Sequence, residues 1–168
     1  MTRMGLPRFF ELERIGGRRR AVVESGGAVV AVCSWLGPRD AGVDIEDAAG
    51  AEAARIRGGA MAVRTYHAAL ASGEAVRVFG AAPRITVESD RHAATEVLVA
   101  DAGDGSRTLT WSRDGAIDAV LRLLPAAGAE PWAFETPGWE EPIPVLAVLC
   151  AVEALLREEE GAADQPAR

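Results

Sequence analysis

Two histidines, His67 and His92, and two cysteines, Cys33 and Cys150, are the residues of this chain best suited to metal or nucleophilic chemistry. Zinc takes three or four ligands at short, regular spacing, and these four residues are scattered singly. Cys33 and Cys150 each sit in an apolar run, which predicts buried free thiols in a reducing compartment. The serines Ser25 and Ser34 lack the strand-to-helix elbow that exposes a catalytic serine. A phosphate loop of the Gly-x-x-x-x-Gly-Lys kind is excluded outright, because the chain contains no lysine. The loop Asp101-Ala102-Gly103-Asp104-Gly105 offers two carboxylates, but it lacks the ligand spacing and closing glutamate of a calcium-binding EF-hand and reads as a solvated turn. No acid, base and nucleophile assemble, so a non-enzymatic protein without cofactor or metal is expected.

What remains is charge. All 18 basic residues are arginine, set against 25 acidic ones, for a net charge of -7. That balance opposes a general role on nucleic acid, which needs a concentrated basic surface. The first 20 residues nevertheless carry six arginines against Glu11 and Glu13. Arg18-Arg19-Arg20, supported by Arg3, Arg8 and Arg14, is therefore the candidate lipid- or anion-binding site, since guanidinium groups pair bidentately with phosphate.

The elements that would position such residues follow from the alternation of apolar and polar residues. From Phe9 to Phe134, short apolar segments recur between turn residues about every ten residues, the pattern of an all-β sandwich or barrel. Val43-Asp44-Ile45-Glu46 and Thr108-Leu109-Thr110-Trp111 alternate strictly. Gly26-Gly27 and Ser72-Gly73 mark hairpin turns. About twelve strands result. Ala48 to Arg57 and Met61 to Ala71 are alanine-rich and also suit helix, but Gly50 and Gly58-Gly59 favour strands.

A different element closes the series. Pro142 to Leu156 is apolar on every side, and its two prolines suit the first turn of a helix. Glu153 interrupts the run too early for a membrane span, so a buried core helix is expected. A helix of that length matches the height of tilted strands and can fill a barrel, with Glu153 emerging at its end or pairing with an inward arginine such as Arg55, Arg77 or Arg122. Trp35, Trp111, Trp132 and Trp139 are expected to serve as core plugs or to cover the rim.

The aspartate-glycine hairpins, as in Val43 to Gly50 and Trp111 to Ile117, together with the terminal helix, resemble the tubby-like and phospholipid-scramblase-like superfamily with its plant LURP-one-related members. The resemblance covers roughly residues 9 to 160 and implies a twelve-stranded closed antiparallel barrel around a buried apolar helix. It also implies association with membrane lipids, through phosphoinositide-binding basic side chains in tubby domains and action at bilayers in scramblases. The cationic pair of tubby domains and the calcium-binding segment of scramblases have no counterpart in this sequence.

The expected organisation is a flexible stretch over residues 1–8, a single β-barrel domain over 9–157 with a central helix at 143–157, and an acidic disordered tail over 158–168. The expected function is a lipid-associated or protein-interaction module. Its partners would be anionic lipid or a membrane surface, or another protein, with nucleic acid excluded and the oligomeric state open. The alternative is a lipocalin-like barrel holding a small apolar ligand. Residues 1–16 lack the apolar core of a signal peptide, which places the chain in the cytoplasm, either free or peripheral at the membrane.

Overall fold

The computed structural model describes residues 6–36, 42–58, 65–91, 93–101, 107–113, 116–123, 132–136 and 141–163. Twelve strands precede one helix: β1 (Arg8–Gly16), β2 (Arg19–Glu24), β3 (Val29–Trp35), β4 (Val43–Asp47), β5 (Glu52–Gly58), β6 (Thr65–Leu70), β7 (Ala75–Ala81), β8 (Arg84–Ser89), β9 (Thr95–Asp101), β10 (Arg107–Arg113), β11 (Ala116–Leu123), β12 (Trp132–Thr136) and α1 (Pro142–Ala163).

All twelve strands belong to one antiparallel sheet in which each pairs with its chain neighbours. The sheet rolls round until β1 also lies beside β12, from Arg8↔Thr136 to Glu11↔Ala133. The turns explain the meander. Gly26 and Gly27 hold φ of 113° and 94°, a region that L side chains rarely adopt. Between β4 and β5, the Asp47 carboxylate accepts the backbone N–H groups of Ala49 and Ala51 at 2.9 and 3.0 Å. That side-chain turn starts β5 at Glu52 and settles the ambiguity of the alanine-rich segments in favour of strand, as does β6 from Thr65.

The helix has no polar face, and Val145 through Leu156 are all buried. Its closest backbone approaches are to β4, β5, β6 and β7, one arc of the sheet. That wall buries Ala54 and Ala68 alongside Ile45, Ile56 and Tyr66. On the far side Phe10 and Phe134 stack with ring centroids 4.7 Å apart, and Leu12, Leu109 and Trp111 are also buried.

The expectation of a closed barrel wrapped around a central helix is accordingly corrected as to the helix, which lies to one side of the interior. One antiparallel sheet carries the helix on its β4–β7 wall, and large side chains occupy the remaining space, because interiors pack to crystal-like density wherever the residues allow. The helix also begins at Pro142 and runs to Ala163, taking in residues 158–163 that the sequence reading assigned to a tail. A second correction concerns Glu153, which does not emerge but is 4% exposed. No helix among the described residues is long and apolar enough to cross a membrane.

Candidate functional site: an arginine-flanked groove on the outer face

The structure separates the arginines that the sequence places side by side. Arg18 lies in the β1–β2 turn and Arg19 opens β2, both exposed. Arg20 is 8% exposed, shares its side of β2 with the buried Val22, and holds its guanidinium 4.7 Å from the Trp35 ring. Adjacent strand residues point to opposite faces, so three consecutive arginines cannot form one patch. The supporting residues disperse as well. Arg8 donates to both carboxylate oxygens of Glu24, at 2.8 and 2.9 Å, and Arg14 is exposed further along β1. The hydrogen bonds from Arg8 lower the Glu24 pKa, a shift that desolvation partly opposes, and the same pairing raises the Arg8 pKa. Arg3 lies outside the described residues.

Cross-strand register assembles a different set of arginines. On the outer face, Arg57 of β5 pairs with His67 of β6, His67 with Arg77 of β7, and Arg77 with Glu88 of β8. The parallel row places Arg55 beside Ala69, and Ala69 beside Ala75. Small methyl groups between long side chains leave a shallow groove of about 520 Å³ lined by Arg55, Arg57, His67, Arg77, Glu88 and Asp90, among others.

The arginines of this groove are oriented by carboxylates. Arg57 bonds Asp44 at 2.7 Å and donates to the Ile56 carbonyl at 2.9 Å. Arg55 meets Glu52 at 2.6 Å. Arg77 bonds Glu88 and lies 4.9 Å above the Phe79 ring. These side chains are 43 to 57% exposed, so such pairs stabilise the fold by only about 0 to 1 kcal/mol each and mainly set direction. A guanidinium carries five N–H donors, so an arginine holding one carboxylate can still donate to an incoming anion. Sequence reasoning weighed His67 only as a metal ligand and Arg55 and Arg77 only as inward partners of Glu153. The signal was present in the strand pattern, where Arg55, Arg57, His67 and Arg77 all fall on polar phases, but it needed the register of four strands to become a site.

Cys33 and Cys150 are buried free thiols. Trp111 is buried and donates its indole N–H to Thr95 Oγ1 at 2.8 Å. His92, Trp139 and the interior of the Asp101–Gly105 loop lie outside the described residues, as do the side chains of Arg122 and Trp132.

Comparison with known proteins adds one finding. A solved structure described as the X-ray structure of a protein from Arabidopsis thaliana, AT5G01750, aligns with a TM-score of 0.56, covering 90% of this chain and 92% of that chain. The likeness is one of fold. Identity over the alignment is 10%, which carries no information about ligands or activity. No protein-family model and no curated protein matches the chain.

Proposed function

We propose that this protein is a non-catalytic module of the tubby-like and LURP-one-related kind that associates with anionic lipid headgroups through its outer face. The supporting observation is the cross-strand row Arg57–His67–Arg77 beside Arg55, three carboxylate-oriented guanidinium groups and an imidazole brought together over an alanine floor on an otherwise acidic chain. A net charge of -7 repels an anionic membrane at long range, so binding depends on presenting this face and weakens as salt screens it. The exposed pair Arg18 and Arg19 is a second, smaller contact on another part of the sheet. A lipocalin-like container is disfavoured, because the helix and the aromatic side chains occupy the interior.

The test is co-sedimentation at low salt with phosphatidylcholine vesicles containing roughly one-fifth phosphatidylserine. Each basic residue near an anionic surface contributes about 1 kcal/mol. Changing both Arg57 and Arg77 to Gln is therefore expected to weaken binding about 30-fold. The Arg18→Gln, Arg19→Gln pair reports on the smaller contact. No association of the unchanged protein with these vesicles overturns the proposal.

A further inference from the structure

At the end of the rolled sheet where α1 begins, the core does not close completely. A cavity of about 180 Å³ lies between Pro144 and Val148 of the helix and Leu70, Val76, Val87 and Trp111 of the sheet. Glu74, Ser89, Thr95 and the exposed Ala93 form its rim. An apolar cavity of about 150 Å³ is enough to hold a benzene ring. The walls here are of that kind, with one aromatic face and five aliphatic groups.

The rim chemistry restricts the occupant further. Ser89 spends its only O–H on Glu74 Oε1 at 2.5 Å, while its oxygen accepts the Arg91 N–H at 3.1 Å. Trp111 spends its indole N–H on Thr95. The Ser89 hydroxyl and the Trp111 indole N–H are thus committed, whereas the Glu74 carboxylate accepts at several lone pairs and donates none. A guest that brings a hydrogen-bond donor meets the Glu74 carboxylate.

We infer that this mouth is a binding site for a small primary amine carrying a single aromatic ring, with the ring between Trp111 and Val148 and the ammonium on Glu74. The site lies at the mouth and not on the outer groove, so it goes beyond lipid association, and either can fail without the other.

The probe is benzylamine, followed through the Trp111 indole N–H resonance of ¹⁵N-labelled protein, assigned with Trp111→Phe. A ligand of this size is expected to bind with Kd about 1 mM. Glu74→Gln weakens benzylamine about tenfold while changing benzyl alcohol by less than about twofold, since only the amine loses a charge partner. Ala93→Phe fills the cavity from the solvent side and abolishes the shift. Glu74→Gln, on the rim, supplies the test if Ala93→Phe fails to fold. The inference is overturned if benzylamine leaves the indole resonance unmoved up to about 20 mM, about twenty times the expected Kd. It is equally overturned if the shift survives Glu74→Gln unchanged.

Discussion

Truncating Leu149 tests how tightly α1 is packed into this fold. Leu149 is 0% exposed and lies midway along the stretch Val145–Leu156, in which every residue is buried. A helix enclosed on all sides has no direction in which to relax, so Leu149→Ala leaves most of the removed volume as a cavity. Such replacements cost about 3 to 5 kcal/mol when the surroundings cannot collapse, a large part of the roughly 5 to 15 kcal/mol that holds a domain together. For a chain of 168 residues, about 2 to 4 °C per kcal/mol converts this to a fall in Tm of roughly 6 to 20 °C. Urea denaturation followed by far-UV circular dichroism measures it directly, with an unchanged slope showing that the unfolded state is the same. Leu98→Ala is the control, since Leu98 is 42% exposed and should shift stability by less than about 0.5 kcal/mol. A loss below about 1 kcal/mol for Leu149→Ala would refute the reasoning, because a tightly enclosed leucine cannot be removed so cheaply.

Two further outcomes follow from the arginines. Arg20→Ala is expected to destabilise by about 1 to 3 kcal/mol, through loss of the contact with Trp35 and of the buried side-chain stem, whereas Arg18→Ala and Arg19→Ala stay within about 0.5 kcal/mol; equal effects at all three positions would contradict the separation of Arg20 from its neighbours. Glu24→Gln is expected to cost about 0.5 to 1 kcal/mol near neutral pH. Because Arg8 holds the Glu24 pKa below its ordinary value of 4.5, that contribution is fully present above this value and fades as pH falls through the lowered one. The variant and the unchanged protein should therefore converge in acid, and a difference independent of pH would mean that the carboxylate charge is not its source.

Much of the local structure was legible because it depends on neighbours in the chain. Alternation in Val43-Asp44-Ile45-Glu46 gives β4 its dry and wet faces, and Gly26-Gly27 marks the turn between β2 and β3. The lack of a polar face on Pro142 to Leu156 required that the helix be buried. Even the inward aim of Arg20 had a local signal, since it shares the phase of Val22, but a run of three arginines reads more readily as a patch than as alternating residues. Residues far apart in sequence decided the rest. The helix approaches the backbones of β4 to β7 most closely, with Phe10 and Phe134 stacked elsewhere in the core, an arrangement readable only once the strands stand in order round the sheet. The groove of Arg57, His67 and Arg77 likewise depends on strand register, because a shift of one residue would turn each side chain to the other face. By itself, then, the sequence determined the strands, their turns and the burial of the apolar helix, since those follow from local periodicity. Only the tertiary structure decided which exposed residues share a surface and where the interior is left unfilled, because register and packing bring together side chains that the chain keeps apart.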